Sequence, residues 1–308
     1  MEALLSLAFD NLSSYDGPKI RKGLRQVEGL LAQICLSNSS SGRTRSSSLS
    51  SPAAPHDDDD ASGDAPRKDL AQLTQDPAFR EFFKLQEGFE WNVAMRLTST
   101  LDRLMAKGSD GQNDLLILSA LDLIQGVMLL HPPSKALFAR EQNMNASHGP
   151  DLRDPPPLLL DLLEPYNCPA IQSATLLTLV VALIDTPNNT RTFEGLDGLL
   201  TVTSLFKSRS TSREVKLKLV EFLYFYLMPE TPSSPRADQR GSVFQRSPSK
   251  LSGAFGADGR SGRKRANSNG VMTLTTAEKQ QLLSRHLSSV EDLVKDLRTC
   301  APFGGIVC

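Results

Sequence analysis

Apolar positions in this chain recur at helical spacing, in blocks separated by stretches with almost no apolar residues. Asp16 is a favoured cap and Pro18 suits a first helical turn; Ile20, Leu24, Val27, Leu31 and Ile34 then step by four, three, four and three along one stripe. Asp76-Pro77 opens a short helix in the same way, carrying Phe79, Phe82 and Phe83. A longer helix is predicted from about Trp91 to Lys107, with Val93, Leu97, Leu101 and Leu104 inward and a stop at Gly108. Asn113 stands where a cap is needed for the next helix. Its Leu115–Leu130 stretch is apolar nearly all round, as in a helix buried between others. Arg213–Leu227 predicts a further helix. Thr275-Thr-Ala-Glu278 is a capping box for a last one presenting Leu282, Leu283, Leu287, Val290, Leu293 and Leu297. Alternating β-branched runs bounded by Asn-Gly or Asp-Gly turns are lacking, so the expected class is all-α.

A weak internal repeat refines this. Leu130-His-Pro-Pro-Ser-Lys-Ala-Leu-Phe138 resembles the stretch Ile184 to Phe193, with Pro132 matching Pro187 and Phe138 matching Phe193, both 55 apart. Allowing for a polar insertion before Leu158, the period falls in the low forties, and Glu214–Leu227 echoes Ala170–Leu183 at an offset of 44. Periods of about 40–47 mark armadillo and HEAT units, each unable to bury its apolar faces without a stacked neighbour. The expected architecture is an armadillo/HEAT-like helical solenoid with long disordered insertions; an irregular helical bundle is the alternative.

The polar stretches divide the chain. Residues 37–68, 145–157 and 229–275 are rich in Ser, Pro, Gly and charge and cannot bury enough surface to offset their ordering entropy, so they read as disordered. They separate N-terminal helices over 1–36, helical repeats over 69–144 and 158–228, and a C-terminal capping helix and tail over 276–308. With 34 Lys+Arg against 35 Asp+Glu in 308 residues, global charge argues for neither nucleic acid nor an anionic membrane. The four cysteines show no paired spacing, which points away from a zinc or redox motif and towards a reducing compartment. The N-terminus lacks the positive charge of a signal peptide, and the longest apolar stretch, about Ala174 to Ile184, is far short of the roughly 20 residues that span a bilayer. The expectation is a soluble, cytoplasmic protein with no membrane partner.

Catalytic signatures are missing from the sequence: no phosphate loop, kinase catalytic elements, Cys-x5-Arg cradle, His-Glu-x-x-His or Gly-x-Ser-x-Gly. The expectation is therefore a protein that is not an enzyme and holds no cofactor or metal. Asp57–Asp60 reads as a solvated tract, since carboxylates without a turn-forming loop make poor calcium sites. Residues 236–268 carry eight basic and two acidic side chains, net +6, leaving a weak nucleic-acid interaction as a rival reading; no nucleic acid is expected as the main partner. Arg stands three residues before Ser46, Ser48 and Ser268, and Pro follows Ser51, Thr231, Ser234 and Ser247, so these seven are candidate phosphorylation sites. In Arg213–Leu227 the Phe222-Leu-Tyr-Phe-Tyr-Leu227 end is aromatic on every side. Phe222, Tyr224 and Tyr226 are candidate docking anchors, with Arg209, Arg213, Lys216 and Lys218 as a basic rim. The other reading of the same cluster is burial under the last helix.

The stretches Asp76 to Leu97 (DPAFREFFKLQEGFEWNVAMRL) and Cys168 to Asp185 (CPAIQSATLLTLVVALID) resemble the fungal cell-division-cycle protein fourteen family. This is the septation initiation network component and not the phosphatase that shares its name. The resemblance covers 1–37, about 69–227 and 276–308. It implies a non-catalytic regulatory or scaffold subunit of a germinal-centre-type protein kinase, working at the spindle pole body with other network components to promote cytokinesis and septum formation. A general armadillo-like adaptor is the alternative, and oligomeric state stays open.

Overall fold

Proline and the side-chain caps Asp76, Ser212 and Thr275 mark helix starts, whereas the expected caps Asp16 and Asn113 precede helices without a side-chain cap bond. The computed structural model describes residues 1–36, 68–106, 111–144, 159–230 and 273–291. Among them are α1 (Glu2–Leu12), α2 (Gly17–Cys35), α3 (Leu70–Gln75), α4 (Pro77–Gln86), α5 (Val93–Ala106) and α6 (Asp114–Leu130). There follow α7 (Glu141–Met144), α8 (Pro169–Leu183), α9 (Pro187–Gly195), α10 (Gly198–Lys207), α11 (Arg213–Leu227) and α12 (Thr276–Ser284). The 3₁₀ segments Pro132–Ala139 and Asp161–Leu163 complete the set, and no strand occurs among the described residues. The class is all-α. Pro sits in the first turn of α2, α4, α8 and α9, where its missing N–H has no intrahelical partner to lose. The Asp76 carboxylate accepts from Ala78 N at the start of α4, and Thr275 and Glu278 form the predicted capping box of α12.

Four helices form a ladder. α2 packs on α6, α6 on α8, and α8 on α11. All run parallel. Arg21 lies near Leu115 at the start of the α2–α6 groove, and Leu31 meets Gly126 near its end. Asp114 and Ile117 face Cys168 at the start of α8, while Gln125, further along α6, donates to Thr178 Oγ1 at 2.9 Å. Leu183 and Ile184 at the end of α8 lie with Tyr226 and Met228 at the end of α11. The predicted offset of 44 between α8 and α11 is thus a pair of parallel neighbours. Shorter elements brace the ladder: α1 makes a hairpin with α2, α5 lies on α6, and the two 3₁₀ segments lie on α6 and α8. This order of packing is compatible with stacked repeats.

The repeat at an offset of 55 is also structural. His131 and Thr186, just before Pro132 and Pro187, have nearly the same backbone angles (φ −129, ψ 80 and φ −130, ψ 77). Phe138 and Phe193 are both fully buried, and the 3₁₀ segment Pro132–Ala139 packs on α9. The joint holds polar groups that sequence reading did not place. Asn189 donates to Lys135 O at 2.8 Å and to Ala182 O at 2.6 Å, and Lys135 Nζ reaches Ile184 O at 3.1 Å. These pairings satisfy buried backbone carbonyls.

Several expectations shift. Leu115 and Leu129 of α6 are exposed, because α2 and α8 cover its flanks and leave one stripe outward. The last helix ends at Ser284, and turns over 285–289 bring Leu287 and Val290 into the core; Leu293 and Leu297 lie outside the described residues. The predicted disordered insertions lie mostly outside them too. Their margins are packed: Lys68 N donates to Cys35 O at 2.9 Å, and Glu230 N donates to Leu274 O at 3.1 Å.

The α1–α2 hairpin depends on Gly23, where a Cβ would meet Leu12 at 2.9 Å and Ala8 O at 3.0 Å. Gly23→Ala should cost about 1–3 kcal/mol through overpacking. Gly29→Ala on the same helix, with nothing within 4 Å, should stabilise by about 0.4–1 kcal/mol. Urea unfolding of the two variants checks both signs.

Candidate functional site

A helix that packs a neighbour on each flank and its own repeat behind has one stripe left for solvent. On α8 that stripe is Ser173, Leu177, Val180 and the adjoining Ile184; Leu177 is 53% exposed and Ile184 39%. On α11 the facing side chains are Lys218, Glu221, Phe225 and Met228, of which Phe225 and Met228 are half-buried. Between them runs an apolar groove of about 510 Å³ floored by Leu176 and Phe222. Exposed leucines are ordinary one at a time; a contiguous apolar groove is not.

The α11 aromatics fall on both sides of this boundary. Phe222 and Tyr226 are fully buried, which corrects their expected role as exposed anchors. Phe222 packs edge-on to Phe193 with centroids 5.6 Å apart, so its ring is bound into the core and only floors the groove. Tyr226 points away from the groove, and its hydroxyl donates to Glu194 Oε1 at 2.7 Å. Tyr224 is half-buried. Of the basic rim, Lys218 lines the groove and pairs with Glu221 at 2.8 Å; Arg209 and Arg213 are exposed and Lys216 is half-buried, none of the three lining it. Ser46, Ser48, Ser51, Thr231, Ser234, Ser247 and Ser268 lie outside the described residues. Sequence reading missed Leu177, Ile184, Phe225 and Met228. The signal was present in the offset of 44: where two parallel neighbours are both apolar all round, the residues facing the gap are apolar too.

Behind the groove sits a buried charge network. Arg191 Nη2 bonds Glu194 Oε1 at 3.0 Å and Glu230 Oε1 at 2.7 Å, and Lys279 of α12 bonds Glu230 Oε1 at 3.2 Å. Lys279 also donates to Met228 O at 3.0 Å and lies 5.1 Å from the Tyr226 ring centroid. Burial holds the Glu194 carboxyl above the usual carboxylate range, against the pull of the Tyr226 hydroxyl and Arg191. Burial likewise lowers the Lys279 ammonium, opposed by Glu230. Burial first, and then the hydrogen bond to Glu194, raise the Tyr226 phenol well above its ordinary value. Every charge here has a partner, as removal from water requires. The network fastens α12 and the segment around Leu274 to α9 and α11, so the last helix covers the aromatic end of α11 as one of the two readings expects.

Among the described residues no group of three or more His, Cys, Asp or Glu is placed to hold a metal ion, and no helix is long and apolar enough to cross a membrane. Among the described residues this is an all-α arrangement of side-by-side parallel helices with an apolar groove between α8 and α11. The family of Cell division control protein 14, SIN component, matches residues 1–303, and the chain belongs to that family. It is 27% identical over 312 residues to Cell division control protein 14 of Schizosaccharomyces pombe, with 99% of this chain and 97% of that protein covered. No solved structure matches it. That family is described as a septation initiation network component of cell-division control, as the resemblance implies, and is not that of the phosphatase of the same name.

Tyr226 separates packing from surface chemistry. Tyr226→Ala should destabilise by about 3–5 kcal/mol, as for a buried aromatic. Tyr226→Phe, which keeps the ring and drops the hydrogen bond to Glu194, should cost only about 1–2 kcal/mol. Thermal or urea unfolding of both gives the comparison.

Proposed function

We propose that the protein is a non-catalytic scaffold subunit whose α8–α11 groove docks a germinal-centre-type protein kinase of the septation network. The reading places it with its kinase at the spindle pole body, promoting cytokinesis and septum formation. One observation carries it: the apolar strip of exposed Leu177 and Ile184 facing half-buried Phe225 and Met228 across one groove. Such a stripe is the shape an amphipathic helix fills, with anchors spaced at three and four residues. The rim pair Lys218–Glu221 offers both charges to the polar edge of such a helix, which sets orientation more than affinity.

The test is co-purification from dividing cells. Leu177→Asp combined with Ile184→Asp alters exposed positions only, and circular dichroism should show an unchanged helical fold. Kinase recovery should fall roughly tenfold or more, equivalent to about 1.4 kcal/mol or more. Leu4→Asp, at an exposed apolar position of α1, should recover the kinase like the parent. Equal recovery by all three would overturn the groove as the kinase site.

A further inference from the structure

The ladder has a second groove, between α2 and α6, and its chemistry is different. It measures about 490 Å³ and is lined by Arg21, Arg25 and Glu28 of α2 and by Leu115, Leu118 and Asp122 of α6, among others. Arg21 and Arg25 are one turn apart and exposed, and neither has a hydrogen bond or ion pair among the described residues. Lys19 and Lys22 flank them, exposed on the same half of the helix. These four cations make this end positive even with Asp16 three residues before Lys19 and Glu28 one turn after Arg25. Glu28 and Asp122 close the other end with like charge, and burial followed by Glu28 raises the Asp122 carboxyl. An anionic segment is therefore drawn to the Arg21 end and repelled from the other.

The chain itself carries such a segment close by. His56-Asp-Asp-Asp-Asp60 and Asp64 lie between Leu36 and Lys68, outside the described residues. Both ends of that stretch are fixed at the C-terminal end of α2. Leu36 follows the helix directly, and Lys68 is tied to it by Lys68 N to Cys35 O at 2.9 Å and Lys68 Nζ to Ile34 O at 2.9 Å. Arg25 lies ten residues and Arg21 fourteen before Cys35 on the helix, so roughly 15 and 21 Å away at 1.5 Å per residue. Asp60 precedes Lys68 by eight residues, a span of up to about 26–29 Å. The linking chain is long enough for the tract to reach either arginine.

We propose that the α2–α6 groove is the docking site of the chain's own Asp57–Asp60 tract, whose carboxylates pair with Arg21 and Arg25. The tether makes the contact intramolecular, so the tract is present at high effective concentration and any external acidic ligand must displace it. The pairing is exposed and weakens as salt screens it.

Zero-length carbodiimide coupling, which joins a carboxylate to a lysine amine, tests this on the full-length chain by peptide mass spectrometry. Asp57–Asp60 should couple to Lys19 and Lys22 at least several-fold more than to Lys216 or Lys218, which are exposed or half-buried on α11. Arg21→Gln with Arg25→Gln, at exposed positions, leaves both lysines in place and should abolish that preference, as should roughly 1 M salt. Coupling spread evenly over the lysines, or a preference that survives the double variant, would overturn the proposal. Loss of a co-purified partner protein in the double variant, with the coupling preference intact, would assign the groove to that partner and overturn it equally.

Discussion

Parallel packing of four helices in a row is the constraint on which the rest depends. A helix with neighbours on both flanks must be apolar on both, so its polar stripe narrows to the one strip left outside. That is why α6 and α8 look apolar all round, and why Leu129 and Leu177 end up in solvent. The buried bond from Gln125 to Thr178 is a polar peg in this otherwise apolar joint and holds the register of α6 against α8. Grooves lie between helices of the ladder, one along the first halves of α2 and α6 and one along the later parts of α8 and α11. The α2–α6 and α8–α11 grooves are products of the same geometry, lined by different residues.

Much of this is legible in the sequence. The bounds of α11 match the expected Arg213–Leu227, the Thr275 capping box forms, and Asp76-Pro77 starts α4 where the spacing puts it. Caps and prolines act through local backbone groups, so they show in local sequence. The repeats at 55 and 44 are legible for a related reason: equivalent positions keep equivalent backbone angles and side-chain sizes, as His131 and Thr186 do.

Facing is less legible. Around Phe222–Leu227 every side of the helix is apolar or aromatic, so periodicity cannot say which ring is core. The answer depends on elements far along the chain: Phe193 takes Phe222, Glu194 takes Tyr226, and α12 covers the end. The charged network has the same character. Arg191, Glu230 and Lys279 look like surface residues in sequence, and their burial together depends on a return of the chain after residue 272 that no local signal announces. The edge of the groove was missed for the complementary reason, since an apolar residue facing a gap has the same sequence signature as one facing a partner helix.

The central claim is that the α8–α11 strip is covered by another protein in the working assembly. Hydroxyl-radical footprinting of the chain, alone and with the germinal-centre-type kinase proposed to dock there, tests that directly at side-chain level. Oxidation of Leu177, Phe225 and Met228 should fall several-fold in the complex. Oxidation of Leu4, Tyr15 and Phe89, exposed on other elements, should stay as it was. Unchanged oxidation along α8 and α11, with protection at Tyr15 or Phe89 instead, would contradict the account and move the interface to the N-terminal end.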